Sequence, residues 1–95
     1  MADFPTPSGL VFTSRQVMDE GWPILTVSHD ADDQHWQFVN GWGDTDDTNN
    51  IVLVHVEHVI DLDPSVLALA DLPLGWQAWR QNPHEEWTRE PQPRV

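Results

Sequence analysis

The sequence predicts a single small α+β domain: a largely antiparallel sheet with two or three short helices. Three observations predict it. With 95 residues the chain is one domain long. Its apolar residues fall into short, partly alternating runs bounded by Gly, Pro, Asn and Asp, the pattern of strands and turns. The order of signals is strand, helix, several strands, helices and a hairpin, which suits an α+β layout.

Residues 1–9 carry two prolines, a serine and a glycine and read as an N-terminal arm, with the domain spanning 10–90 and a short tail at 91–95. Leu10-Val11-Phe12-Thr13 is a strand. Ser14 is an N-cap for a brief helix through Glu20, with Val17 and Met18 inward. Gly21 ends that helix as a left-handed residue. Pro23 to His29 is β-branched and partly alternating, hence a strand. Asp30-Ala31-Asp32-Asp33-Gln34 is a hairpin turn, because short acidic side chains bond the local backbone. His35 to Asn40 returns as a strand with Trp36 and Phe38 on one face and His35, Gln37 and Val39 on the other.

Gly41 and Gly43 bracket Trp42 and break that strand, and residues 44–50 form a loop. Ile51-Val52-Leu53-Val54 is continuously apolar and is expected to be a central strand buried on both faces. Val56, Val59 and Ile60 then fall at helical spacing. Asp63-Pro64 is an N-cap acid followed by proline at the first helical position. It opens a helix over Pro64 to Ala70 that buries Val66, Leu67 and Leu69 or Ala70, and Asp71-Leu72-Pro73 stops it. Gly75 to Gln81 and Glu86 to Arg89 are strands around an Asn82-Pro83-His84-Glu85 turn.

Hydrophobic residues make up 39% of the chain, so a packed globule is expected and wholesale disorder is not. Six tryptophans should weigh heavily on so small a core, since each can bury on the order of 150–250 Å². Trp36 is expected in that core. Trp76 and Trp79 have opposite parity, so one should face inward and the other outward. Trp42, set between glycines beside an acidic run, is the tryptophan best placed for the surface, the alternative being that it folds back over the sheet edge as a plug.

The charge is the strongest signal. Sixteen acids face four arginines and no lysine, for a net charge of −12. Between Arg15 and Arg80 lie twelve acids and no Lys or Arg, while the flanks hold four acids and four arginines and cancel. Nucleic acid and anionic lipid need basic residues to neutralise phosphate, so neither is an expected partner. A basic protein would be steered toward this surface. An acid-biased composition kept for solubility is the competing explanation.

Several chemistries are excluded. Without cysteine there are no disulfides, thiolate sites or thiol nucleophiles. A secreted domain this small often needs such staples, so a cytoplasmic location is expected. No apolar run is long enough to span a bilayer, and Met1–Pro5 lacks the basic-then-apolar pattern of a signal peptide. No glycine-rich phosphate loop or nucleophile elbow is present. An EF-hand starting at Asp44 fails: Thr48 is a poor fifth ligand, Asn49 replaces the glycine, and His55 replaces the bidentate glutamate. His55-Val56-Glu57-His58 brings no three ligands together on either a strand or a helix. No catalytic residue, cofactor or metal site is therefore expected, and the chain reads as a non-enzymatic binding protein. Its expected partner surface is Asp30, Asp32 and Asp33 of the turn together with Trp42, Asp44, Asp46 and Asp47, because an exposed tryptophan ringed by acids suits a protein–protein hot spot.

Glu20-Gly21-Trp22 precedes a strand; Trp36-Gln37-Phe38-Val39-Asn40-Gly41 precedes an Asp-rich loop closed by Asn49-Asn50; Asp63-Pro64 opens a helix that ends in Leu72-Pro73-Leu74-Gly75, before Ala78-Trp79-Arg80. This order resembles the small bacterial family of immunity protein 33, also described as domain of unknown function 2185, over about residues 10 to 90. The resemblance implies an α+β fold and a role as the antidote of a cognate protein toxin in polymorphic toxin systems. A monomer or weak homodimer is expected. The alternatives are a metal- or small-ligand-binding domain, or an accessory domain that self-associates through an edge strand.

Overall fold

The computed structural model describes residues 9–32, 34–41 and 48–92. In chain order the elements are β1 (Leu10–Ser14), α1 (Arg15–Glu20), β2 (Thr26–His29), β3 (Trp36–Val39), a 3₁₀ turn (Thr48–Asn50), β4 (Ile51–His55), α2 (Val56–Leu62), a 3₁₀ segment (Pro64–Leu69), β5 (Trp76–Trp79) and β6 (Thr88–Pro91). Among the described residues six strands form one sheet in the order β4-β1-β3-β2-β5-β6, in which β1 and β3 run parallel and the other pairs are antiparallel. The α+β domain with a largely antiparallel sheet and short helices is thus what the chain forms.

Local chemistry sets the element ends. The Ser14 side chain accepts from the Val17 N–H and starts α1. Gly21, at φ 72°, takes the left-handed conformation that closes it. The Asp63 side chain accepts from the Ser65 N–H, with Pro64 next in the chain. That segment is a 3₁₀ helix ending at Leu69, where an α-helix to Ala70 was expected.

Strand register sorts the side chains. Val27 lies opposite both Phe38 and Ala78, and His29 opposite both Trp36 and Trp76. These residues, with Val11, face the helical layer, and Val17, Val56, Val59, Val66, Leu69 and Leu72 close over them. Trp36 is the largest fully buried side chain; the His29 ring stacks on it at 4.0 Å and Phe38 at 5.9 Å. His29 Nδ1 lies 2.7 Å from the Leu72 carbonyl, tying β2 to the chain after the 3₁₀ segment. Trp76 packs against the core and Trp79 points out of the other face, as their parity required.

Two further expectations change. Ile51–Val54 is not a central strand. β4 is the sheet's edge, paired only with β1 among the described residues, and Leu53 is 51% exposed. An unbroken apolar run says that neither face is strongly polar; it does not say how many neighbours the strand has. Pro91, expected in the tail, closes β6, and the Gln92 N–H donates to the Gly75 carbonyl.

The topology gives the domain two ends. One collects Gly9, residues 30–32 and Gln34, the start of α2 and residues 70–75. The other collects the α1 terminus, Pro23, Asn40-Gly41, Asn49-Asn50, the Leu62–Ser65 bend and the 80–87 turn.

Candidate functional site

The second end is organised by Arg80. Its backbone follows β5, and its side chain is 2% exposed. All five guanidinium N–H groups find acceptors. Nε and Nη2 donate to the Ile24 carbonyl at 3.1 and 2.9 Å, Nη2 to Asp63 Oδ2 at 2.6 Å, and Nη1 to Ser65 Oγ and the Pro83 carbonyl at 2.9 and 3.2 Å. The guanidinium also lies 4.0 Å from the centre of the Trp87 ring. One planar cation thereby pins the 22–24 segment, the bend after α2 and the 81–87 turn. A lysine could not reproduce this fork.

In front of this hub lies an open groove of about 270 Å³, lined by Val17, Gly21, Trp22, Pro23, Ile24, Leu62, Asp63 and Pro83. Three of the lining residues, Ile24, Asp63 and Pro83, are bonded directly to Arg80. Two lining side chains are large, apolar and exposed: Trp22 at 44% and Leu62 at 50%. Asn40 Nδ2 donates to the Pro23 carbonyl at 2.8 Å, so β3 leaves the sheet beside the groove.

The groove's electrostatics are one-sided. α1 ends at Gly21 and α2 at Asp63, so two helix C-termini, the negative ends of their dipoles, converge on it. Neither helix has a basic residue in its last turn. Asp19, Glu20 and Asp61 are exposed beside it, and Asp63 is part of its wall. Arg80, the cation behind the wall, is enclosed and its donors are spent inward. Arg15 Nε donates to the Asn49 carbonyl. Arg89 pairs with Asp71 at 2.7 Å and donates to the Ala68 carbonyl. The Arg89 guanidinium beside Asp71 holds that carboxyl below its ordinary range, through the hydrogen bond first and the charge second.

Of the residues expected to bind a partner, Asp30 and Asp32 are described. The Asp30 carboxylate accepts from Gln37 at 3.1 Å and Gln92 at 2.9 Å, joining the turn to β3 and to the end of β6. Asp32 is exposed. Both sit at the end of the sheet opposite the groove. Asp33, Trp42, Asp44, Asp46 and Asp47 lie outside the described residues, although Gly41, after β3, and Asn49, before β4, leave the sheet at the groove's end. Asp30 and Asp32 are therefore not neighbours of Gly41 and Asn49. His55 and His58 stand 6.2 Å apart between ring centres, and no group of three metal-ligating side chains occurs among the described residues.

Sequence reasoning passed over Trp22 and Leu62. The available signal was that Trp22 falls between a helix-ending glycine and a proline, where no strand or helix face could bury it. Comparison with protein-family models, curated proteins and solved structures gives no match.

Proposed function

We propose that this chain is an immunity-type binding protein, not an enzyme, that neutralises a cognate basic protein toxin in the cytoplasm. An apolar side chain of the toxin enters the Trp22–Leu62 groove while neighbouring cations meet Glu20 and Asp61. The observation that carries this reading is the pairing of an exposed tryptophan and leucine with an acidic rim into which two helix C-termini run. An aromatic anchor gives a complex its lifetime. The −12 charge supplies long-range steering, which raises association rates toward roughly 10⁸–10⁹ M⁻¹s⁻¹ at low salt. The resemblance to immunity proteins points the same way.

The test is capture with the tagged chain, the product of the neighbouring gene being the lead bait. It is run at about 0.1 M and about 1 M salt, where the Debye length falls from about 10 Å to about 3 Å. A stoichiometric basic protein held at low salt and released at high salt is expected. A neutral or acidic partner, or one held equally at both salts, would overturn the electrostatic part of the proposal.

A further inference from the structure

Among the described residues the sheet has two edges, and they are built differently. β6 carries the devices that keep an edge from pairing: Arg89, Glu90 and Pro91 in four residues. β4 carries none. Its sequence is Ile-Val-Leu-Val-His, without charge, proline or glycine, and it is the longer of the two. Asn49 through Val56 contains no Asp, Glu, Lys or Arg, although the chain as a whole bears −12. Leu53 projects from this edge onto the sheet face away from the core, opposite Phe12. Val52 and Val54, opposite Thr13 and Val11, lean toward the helical layer and are half-buried.

We propose that the free edge of β4 pairs with β4 of a second copy, antiparallel about a twofold axis at Leu53. This goes beyond the proposed function and does not depend on it. Self-pairing fits the composition of the strand. Centred on Leu53, it sets Leu53 against Leu53, Val52 against Val54 and Ile51 against His55 of the other copy, so every cross-strand pair is apolar or neutral. Of the two edge strands among the described residues, β4 is the one without a carboxylate, since β6 carries Glu90. A contact confined to one five-residue strand is smaller than the roughly 1,200 Å² of a stable interface, so the dimer is a reversible one. The charge fixes its salt dependence. Two −12 molecules repel each other, and added salt screens that repulsion, so self-pairing strengthens with salt. Binding of a basic toxin weakens with salt. The two interactions are told apart by sign.

Sedimentation velocity of the full chain tests this, from about 10 μM to about 1 mM at about 0.1 M and about 1 M salt. The expected result is a concentration-dependent rise toward twice the monomer mass, larger at the higher salt. Leu53→Lys is expected to abolish it at every concentration. That variant lowers the net charge from −12 to −11, so the overall repulsion between two copies falls, and the loss is assigned to the two lysines that would meet at the twofold. Trp79→Lys, on the same sheet face but next to the other edge strand, is expected to leave the dimer intact. A monomer at about 1 mM in both salts would overturn the proposal. So would a dimer that survives Leu53→Lys, or one lost in Trp79→Lys, which would move the contact to the open sheet face. A chain that never dimerises yet loses a captured partner through Leu53→Lys would assign this edge to the partner and also overturn self-pairing.

Discussion

Replacing Arg80 by methionine keeps the length of its apolar stem and removes the guanidinium, and the structure allows the loss to be worked out. The Ile24 carbonyl, on a residue 2% exposed, loses both of its bonds to Arg80, which costs about 1–3 kcal/mol if water cannot replace them. Asp63 loses its counter-charge, but its side chain is 23% exposed, so solvation limits the loss to about 1–2 kcal/mol, below the figure for a dry pair. The Trp87 face loses a cation, worth about 0.5–1 kcal/mol. The Ser65 hydroxyl and Pro83 carbonyl belong to exposed residues and recover bonds to water. Together about 2.5–6 kcal/mol should disappear, a range that brackets the cost of breaking a buried ion pair from one side. A 95-residue domain has about 5–14 kcal/mol in all, so Arg80→Met should be folded but marginal. Urea unfolding followed by tryptophan fluorescence and circular dichroism measures it. Asp63→Asn keeps an oxygen to accept from the Ser65 N–H, and the double mutant with Arg80→Met should show a coupling of about 1–3 kcal/mol. A loss below about 1 kcal/mol in Arg80→Met would show that the five-donor hub does not hold this end of the domain together.

Trp22→Ala and Leu62→Asp should each weaken binding of the captured partner by about 2 kcal/mol or more, roughly thirtyfold in Kd by calorimetry, while unfolding stability falls by no more than about 1 kcal/mol because both side chains are half exposed. Gly21→Ala should destabilise by about 1 kcal/mol through backbone strain alone, because φ is 72° and no atom lies within 4 Å of the added methyl. Asp71 has a folded pKa below its ordinary 3.8, so its contribution is complete above about pH 4 and is lost as pH falls through the lowered folded value. Acid unfolding curves of wild type and Asp71→Asn should therefore converge at the acidic end, with a gap above it that narrows in salt because the Asp71 side chain is 80% exposed.

Most of the architecture was legible in the sequence because it rests on short-range chemistry. Ser14 capping α1, Gly21 closing it and Asp63-Pro64 starting the next turn are local events, and each is where the residues said it would be. The parity of Trp36 and Phe38, and of Trp76 and Trp79, follows from the two-residue repeat of a strand. What was not legible depends on partners distant in sequence. The apolar run of β4 could not announce that it has one neighbouring strand instead of two. Asp30 could not announce that Gln92, sixty-two residues later, would occupy its carboxylate. Arg80 resembled any other arginine until Ile24, Asp63 and Pro83 were brought around it. The groove depends on that same convergence. Its acidity was foreseeable from the charge distribution; its position and its two apolar anchors were not.

The most direct test of the central claim is the affinity of the captured basic protein for three forms of this chain, measured at about 0.1 M and about 1 M salt. The forms are wild type, Trp22→Ala with Leu62→Asp, and Glu20→Gln with Asp61→Asn. Groove-mediated capture of a basic toxin predicts that wild-type Kd rises at least tenfold between the two salts. It predicts that the apolar double variant binds at least tenfold more weakly at both, and that the charge double variant loses affinity mainly at low salt. Wild-type affinity unchanged by salt, or equal affinities for all three forms, would contradict it.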